Sequence, residues 1–247
     1  CLVGSEMCIR DRYIPVLSYH SISEDISYIS LSTRIFEKQI IFLKKLGYVS
    51  INFNEIDQNR KNQIIITFDD GYKDILINAL PILKRHNFKA TCFFVTNQIG
   101  KNNQWDNKKE KFNIKKIMSN DEIKQWYDSG MSVQSHSHNH FDLTKLSNID
   151  IVKELEIPKK YFKDKFNIET DVFCYPFGKV NQNVYDLTKK IYKNAVTTNR
   201  SRYNINKHNP FLIPRIDMGK SVSLTKLYFK LKTIYEDIKF KKHELYL

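Results

Sequence analysis

The chain has 247 residues, four cysteines and a formal net charge of +13 at pH 7. This length suits one large domain, such as an α/β barrel. No apolar run in the sequence is long enough to span a bilayer, and the cysteines are too few for a disulfide-stabilised scaffold of this size.

The first twelve residues, CLVGSEMCIRDR, do not fit the rest of the chain. They back-translate onto the transposon end of a sequencing adapter, and they lack the basic start, long apolar core and small-residue cleavage site of a secretory signal. We interpret residues 1–12 as a translated library artefact, with the native chain beginning near Tyr13 and its own N-terminus missing. This leaves Cys92 and Cys174, each within an apolar run, as two reduced and buried thiols.

The first half of the remaining chain alternates predicted strands and helices. YIPVLSYH is predicted to be a strand, and STRIFEKQIIFLKKLGY a helix, because Phe36, Ile40 and Leu43 recur at helical spacing before Gly47. NQIIITFDDGY is a near-continuous apolar run, typical of a strand that is covered on both faces. ILINALPILKRHNF is predicted to be helical, with Pro81 marking a kink or a fresh start, and KATCFFVTN is predicted to be a buried strand.

The second half continues the alternation after a polar, lysine-rich segment, 100–117, which indicates a loop or lid. SNDEIKQWYDSG, NIDIVKELEIPKKYFKDKF and NVYDLTKKIYK are predicted helices. MSVQSHSHNH, DVFCYPFG, NAVTT and FLIPRIDMG are predicted strands with their following turns. SLTKLYFKLKTIYEDIK is predicted to be one closing amphipathic helix with Leu227, Leu231 and Ile234 on one stripe, which could pack on the barrel or lie on a membrane.

Strands that alternate with helices predict parallel β/α units and an α/β fold. With about seven such units, a closed or partly closed barrel is favoured over an open doubly wound sheet. In β/α folds the functional residues gather at the carboxyl ends of the strands. Polar residues recur at those positions here, namely His20, Asp69 and Asp70, the stretch from Ser135 to His140, and the turn after Tyr175.

Two adjacent carboxylates, Asp69 and Asp70, end the apolar run IIITF. Like charges disfavour each other's ionised form unless a cation compensates them, although a lone Asp-Asp-Gly more often caps the next helix. The segment HSHNH offers His136 and His140 with His138 between them, and such a loop favours a metal. Two nitrogens and one oxygen would form the protein half of an open catalytic site, and the second carboxylate would take a proton from water there.

TFDDGY, SHSHNH and CYPFG, in this order and spacing, resemble motifs of the polysaccharide deacetylase family, the NodB-homology or carbohydrate esterase 4 group. PVLSYHSI and KATCFFV fit the same resemblance, which runs from about Tyr13 to Gly219. It implies a distorted (β/α)7 barrel of NodB type in a single domain and hydrolysis of N-acetyl groups from amino sugars. It also implies one divalent metal ion, commonly zinc, and the ligand set also accepts cobalt, manganese or iron.

The resemblance implies roles for individual residues. Asp69 corresponds to the general base that deprotonates the metal-activated water. The backbone N–H of Phe177 corresponds to the oxyanion donor. The remaining implied residues are the metal ligands Asp70, His136 and His140, and Pro176 and Gly178 in the turn around Phe177.

Two departures from the family pattern concern Cys174 and a late histidine. The third motif often has an arginine where this chain has Cys174, and Arg215 in IPRID could supply the missing cation. Arg215→Ala should then cost turnover with little loss of folding; the alternative is an ordinary surface ion pair with Asp217. No Leu-x-x-His motif follows Gly219, and we favour His20 as the group that protonates the leaving amine, with a backbone-bonded strand-end histidine as its alternative.

Aromatic side chains near these motifs could stack on sugar rings. Tyr72, directly after the acidic pair, is the residue that we most expect to contact the substrate. Trp105 is a candidate lid contact, whereas Trp126 is expected to pack inside. The further candidates are Tyr19 and Tyr175.

Two other functions are consistent with these residues: a catalytically silent NodB-like protein that binds carbohydrate, and an amidase acting on a non-sugar C–N bond. The expected partner is an N-acetylated glycan of the cell envelope or surface. The lysine-rich surface could contact a membrane or an anionic envelope polymer, and no motif supports nucleic acid.

We expect a monomer in the cell envelope or outside the cytoplasm, with a cytoplasmic location as the alternative. The predicted organisation has three parts. The artefact covers residues 1–12, the deacetylase domain 13–220, and an amphipathic helix with a basic tail 221–247.

Overall fold

The computed structural model describes residues 13–25, 27–106, 114–219 and 222–239. Residues 1–12, with Cys1 and Cys8, lie outside these ranges, as do 107–113 of the predicted lid loop and 240–247 of the predicted basic tail. The interpretation of residues 1–12 and the domain boundary at 220 therefore stay predictions. Within the described ranges, no helix has both the length and the apolar character needed to cross a membrane.

A curled sheet of parallel strands forms the centre of the fold. The strands of the described residues are β1 Tyr13–Ile14, β2 Val16–Tyr19, β3 Ser21–Ile22, β4 Ser30–Leu31, β5 Val49–Ser50, β6 Gln63–Phe68, β7 Thr91–Phe94, β8 Ser132–Ser135, β9 Val172–Cys174, β10 Asn194–Val196, β11 Tyr203–Asn204 and β12 Ile216–Asp217. Seven of these described strands follow one another in the order β10-β9-β8-β7-β6-β2-β12, and β5 pairs with the start of β6. The other four form two separate pairs, β1 with β11 and β3 with β4.

The two edges of the sheet are joined through residues 213–217, which we call the seam. Ile213 forms a parallel bridge with Val196 in β10, and further along Ile216 pairs with Leu17 in β2. The sheet therefore curls back on itself, as a distorted (β/α)7 barrel requires. The predicted fold class is confirmed.

Seven α-helices of the described residues surround the sheet: α1 Thr33–Lys45, α2 Leu80–His86, α3 Asn120–Asp128, α4 Asn148–Phe166, α5 Gln182–Ile191, α6 Leu224–Lys232 and α7 Tyr235–Lys239. Five of them begin at a serine or asparagine cap whose side chain accepts a backbone hydrogen bond. At α3, for example, the Ser119 hydroxyl accepts a hydrogen bond from the Glu122 N–H while the Glu122 carboxylate accepts one from the Ser119 N–H. A π-helical turn at Ile75–Ala79 continues directly into α2, and Ala79 and Leu80 keep helical backbone angles, so Pro81 marks a local distortion within one helical stretch and not a fresh start.

The predicted closing helix is two helices, α6 and α7. Thr233 explains the break, because its hydroxyl donates a hydrogen bond to Phe229 O at the end of α6 and accepts one from the Tyr235 N–H at the start of α7. The two leucines of the predicted stripe are buried in the core. Ile234 lies in the break and is exposed, so the prediction that it continues this stripe is wrong.

Strand β6 shows how an apolar run is covered on both faces. Ile64 and Ile66 pack in the cluster that includes the inner side of α1, whereas Ile65 packs in a separate cluster with residues of β2, β7, β9 and β10 inside the barrel. Because residues two apart share a face of a strand, Thr67 and Asp69 follow Ile65 on the inner face. The first acid of the pair therefore enters the barrel at its carboxyl end.

Gly71, directly after the acid pair, has φ 76°, and a Cβ at this position would lie 2.4 Å from Phe94 Cδ1. We expect Gly71→Ala to lower the free energy of unfolding by about 2–5 kcal/mol in urea denaturation, because left-handed strain and overpacking add. Gly130→Ala is the matched control, since its φ is 83° but nothing lies within 4 Å of a Cβ there. It should cost only about 1–2 kcal/mol. Equal losses in the two variants would contradict the close packing of Gly71 against Phe94.

Candidate active site

A cavity of about 390 Å³ opens at the carboxyl ends of the central strands. Parallel strands end at the same edge of a sheet, so the polar residues that follow different strands meet there. The structure brings to this cavity all six residues that the sequence assigned to catalysis or metal binding, namely His20, Asp69, Asp70, His136, His140 and Arg215.

Asp70, His136 and His140 form a compact cluster of donor atoms. His136 Nε2 lies 3.2 Å from His140 Nε2, and Asp70 Oδ1 lies 3.4 Å from His136 Nε2 and 3.5 Å from His140 Nε2. All three side chains are buried, and Asp70 Oδ1 accepts no hydrogen bond from the described residues. Three acceptor atoms this close require a shared proton or cation between them.

The spacing of this cluster fits a divalent ion. A tetrahedral ion with bonds of about 2.0–2.2 Å holds its ligand atoms about 3.3–3.6 Å apart, which matches the observed separations. Burial lowers the pKa of His140 to about 3, so this imidazole stays in the neutral form that binds metals.

His136 follows β8 directly, and its ring is oriented by a hydrogen bond. Its Nδ1 lies 2.8 Å from Cys174 O, and with the proton assigned to Nδ1 the lone pair of Nε2 faces Asp70. This is the usual arrangement for a metal-binding histidine. His138 points elsewhere, with its Nδ1 2.9 Å from Thr96 Oγ1, in agreement with the expectation that it turns away from its neighbours.

A second group of possible ligands, Asp69, His136 and Cys174, does not fit a metal. Arg215 donates from Nη1 and Nη2 to the two carboxylate oxygens of Asp69, at 2.7 Å each, and its Nη2 lies 3.4 Å from Cys174 Sγ. A cationic side chain therefore already neutralises this group.

The fork between Arg215 and Asp69 is buried, since only 2% of the Arg215 surface is exposed. Burial raises the pKa of Asp69, but the charge and hydrogen bonds of Arg215 outweigh it and lower this pKa below its ordinary value. Asp217 pairs instead with Arg200, at 2.7 Å. The alternative of a surface ion pair between Arg215 and Asp217 is therefore wrong.

Glu154, which no sequence motif indicated, holds the loop that carries the histidines. Its carboxylate, on α4, accepts hydrogen bonds from the N–H groups of His138 at 3.0 Å and Asn139 at 2.8 Å. The loop needs such support because His140 has φ 60°, in the left-handed region. The feature of the sequence that could have indicated Glu154 is its place next to Leu155, on the side of a predicted helix that faces the core.

His20 follows β2 at the edge of the cavity. Its Nε2 lies 3.8 Å from Asp69 Oδ2, and 34% of its side chain is exposed. Within the described residues, the ring makes no hydrogen bond to the backbone, which was the alternative interpretation. His20 thus lies between the buried Asp69 and the open cavity, and its role stays a prediction.

The turn after β9 carries the predicted oxyanion donor. Phe177 has φ 59° and ψ 6° within the 3-10 turn Pro176–Gly178. Gly178 has φ 69°, and a Cβ there would lie 1.9 Å from Thr198 Oγ1, so only glycine fits. The packing of Gly178 therefore fixes the path of the backbone at Phe177.

Two tyrosines that were expected at the substrate are buried. Tyr72 has 0% of its surface exposed, although it borders the cavity, and its backbone forms a bridge with Ile117. Tyr175 packs edge to face on Phe173, with 5.3 Å between the ring centroids. Neither offers a ring face to a sugar, so their positions do not support the expectation of substrate contact.

Other aromatic side chains do reach the cavity. Tyr28, between β3 and β4, is 60% exposed and lines its rim. Trp105 and Phe177 both contact the ring of His140. Trp126 is fully buried, as predicted. The feature of the sequence that could have indicated Tyr28 as a residue of the cavity rim is its place as an aromatic residue in the short polar stretch SEDISYIS.

Comparisons with known proteins agree with this architecture. Residues 57–196 match the family model described as polysaccharide deacetylase. The chain is 30% identical over 193 residues to YxkH of Bacillus subtilis (strain 168), which is named for polysaccharide deacetylases; the match covers 75% of this chain and 64% of that relative. It is 29% identical over 210 residues to a poly-beta-1,6-N-acetyl-D-glucosamine N-deacetylase of Staphylococcus aureus (strain MSSA476), covering 76% of this chain and 70% of the relative.

Solved structures share the fold. BC0361, a polysaccharide deacetylase from Bacillus cereus, superposes with a TM-score of 0.76 at 29% identity, over 89% of this chain and 69% of that one. The Streptococcus pyogenes deacetylase PplD gives a TM-score of 0.78 at 24% identity, over 89% and 98% of the two chains, which is a likeness of fold alone. The residues matched by the family model include the acid pair and the histidine loop, whereas His20 and Arg215 lie outside them.

Proposed function

The chain belongs to the polysaccharide deacetylase family, and we propose that it hydrolyses N-acetyl groups from amino sugars of a poly- or oligosaccharide. The observation that carries this proposal is the separation of two adjacent acids into different surroundings. Asp70 faces His136 and His140, whereas Asp69 is forked to Arg215. Two carboxylates in different environments can take different roles in one reaction.

The proposed metal ligands are Asp70, His136 and His140. A divalent ion, when bound, supplies the Lewis acidity that polarises a carbonyl and acidifies water. The chain holds the three donor atoms within 3.5 Å of one another and leaves no other protein partner in the described residues for Asp70 Oδ1. Zinc is the proposed ion, and the same donors accept cobalt, manganese or iron.

Asp69 is the proposed general base. Its fork with Arg215 keeps the carboxylate ionised and turned into the barrel, so that it can accept a proton from the attacking water. His20 is the proposed general acid for the leaving amine, because it lines the same cavity with its Nε2 3.8 Å from Asp69 Oδ2.

The backbone N–H of Phe177 is the proposed oxyanion donor. The turn around it is held by the packing of Gly178 against Thr198 and by buried Pro176. A donor that is fixed before the reaction stabilises developing negative charge without a cost of reorganisation.

The proposed substrate class is an N-acetylated glycan of the cell envelope or surface, outside the cytoplasm. The name of the Staphylococcus aureus relative, which specifies poly-beta-1,6-N-acetyl-D-glucosamine, supports this class. We further propose that the protein acts as a monomer, with its basic surface close to anionic envelope polymers or a membrane.

Tyr28→Ala is expected to raise KM for an N-acetylglucosamine oligomer about 5–20-fold and to leave kcat within about twofold, because an exposed ring at the rim binds ground state and transition state alike. Steady-state acetate release measures both constants. Tyr127→Ala removes an exposed ring from α3, away from the cavity, and should change neither. An unchanged KM in Tyr28→Ala would show that the sugar chain takes another path.

Acetate release from a panel of N-acetylated glycans tests the function itself. The protein loaded with zinc or cobalt should release acetate from at least one glycan, and chelation followed by addition of metal should abolish and restore this activity. Bound metal without acetate release from any glycan would favour the carbohydrate-binding alternative. Release from non-sugar amides alone would favour the amidase.

A further inference from the structure

The two histidines of the cluster are oriented in different ways. His136 uses one ring nitrogen toward Asp70 and the other toward Cys174 O. His140 also directs Nε2 toward Asp70, but its Nδ1 is buried and has no hydrogen-bond partner in the described parts of the chain. A metal-binding histidine almost always donates its second N–H to an acceptor. His140 therefore lacks the contact that usually fixes such a ring.

Two aromatic rings flank His140 where this hydrogen bond is missing. The centroid of the Trp105 ring lies 4.7 Å from that of His140 with 33° between the planes, and the Phe177 ring lies 4.6 Å away at 67°. One contact is tilted toward stacking and the other is edge to face, and both geometries are favourable for aromatic pairs. Together they limit the rotation of the His140 ring.

The segment that carries Trp105 is itself anchored to the barrel. Asn103, which is buried, accepts a hydrogen bond from the Lys115 N–H at 2.7 Å. The buried Lys115 ammonium forms ion pairs with the partly buried carboxylates of Asp25 and of Asp74, the latter at 3.2 Å. Asp74 lies four residues after Asp70, in the helical segment that follows the proposed metal ligand, so Trp105 is tied to that segment through Asn103 and Lys115.

We propose that Trp105 is a positioning residue that holds the His140 ring in its metal-binding orientation by ring packing in place of a hydrogen bond. The inference rests on the proposed function of the Asp70, His136 and His140 cluster as a metal site. A metal-bound imidazole is electron-poor, and the face of an indole is electron-rich, so the contact favours the bound state over the free one.

The test is titration of the apoprotein with Co²⁺, followed by calorimetry and by the visible absorption of the bound ion. Trp105→Ala should weaken Co²⁺ binding about 10–100-fold and change the absorption bands, because removal of a contact that orients a ligand has effects of this size. Trp105→Phe keeps an aromatic face and should restore affinity to within about threefold of the original. Phe141→Ala removes an exposed ring beside His140 and serves as the matched control, with no expected change.

The outcomes separate the inference from the proposed function. If the unaltered protein binds no Co²⁺, the proposed metal site fails. If it binds Co²⁺ and Trp105→Ala binds with the same affinity and spectrum, the inference about Trp105 is overturned. Circular dichroism checks folding, and if the alanine variant does not fold, Trp105→Leu decides: binding at least tenfold weaker supports the inference, and unchanged binding overturns it.

Discussion

Asp69→Asn is expected to reduce kcat for acetate release by about 10²–10⁴-fold, the range of a lost general base. The amide has nearly the shape of the carboxylate but cannot accept the proton of the attacking water. Affinity for the ion should stay within a few-fold of the original, because the cluster of donor atoms includes Asp70 and not Asp69. Steady-state kinetics of the zinc-loaded protein and Co²⁺ titration measure the two effects separately.

The neighbouring variant Asp70→Asn is the matched control. It removes the same charge one residue away, but from the side chain that lies 3.4 Å and 3.5 Å from the two histidine nitrogens. It should lose the ion, and activity with it. If Asp69→Asn lost the ion, or if it kept most of its kcat, the division of roles between the two acids would be wrong.

Arg215→Ala is expected to lower the free energy of unfolding by about 3–5 kcal/mol, in addition to reducing turnover, because removal of one partner leaves a buried charge uncompensated. The sequence alone suggested little loss of folding, and the buried fork argues against that expectation.

The lowered pKa of Asp69 also predicts how the free energy of unfolding of the unaltered protein depends on pH. The stabilisation by the pair is present above the ordinary pKa of a carboxyl group and is lost as pH falls through the lowered value.

Urea denaturation of the double variant Arg215→Ala, Asp69→Asn provides the sharper measurement. Loss of the carboxylate charge should recover about 1–3 kcal/mol relative to Arg215→Ala alone, because no uncompensated ion remains in the barrel. Arg215→Lys should also be more stable than Arg215→Ala, although a lysine cannot form the two-pronged contact. A double variant that is less stable than Arg215→Ala would contradict a direct coupling between the two side chains.

The sequence predicted the barrel and the meeting of distant motifs for one physical reason. Parallel strands end at one edge of a sheet, so Asp70 after β6 and His136 after β8 meet although they are far apart in the chain. These features depend on local periodicity, which is visible in a single sequence.

Contacts between non-adjacent segments could not be predicted in the same way. The pattern IPRID allowed Arg215 to pair with either Asp69 or Asp217, and only the path of the seam decides between them. Tyr72 looked accessible because it follows the acid pair, but its burial depends on the strand-like bridge to Ile117. The hydroxyl of Thr233 divides the closing helix through two hydrogen bonds that the apolar periodicity does not reveal.

Within the described residues, the seam joins the barrel by one bridge to β10, two paired residues with β2 and a backbone hydrogen bond from the Arg215 N–H to Asn199 O. Arg215 lies in this segment and donates hydrogen bonds to Asp69, directly after β6, so one guanidinium both stabilises the closure of the barrel and keeps the proposed base ionised. Evolutionary change at this position would affect foldability and chemistry together. Relatives that accept other substrates should therefore differ at the rim of the cavity, in residues such as Tyr28, which take no part in closing the barrel.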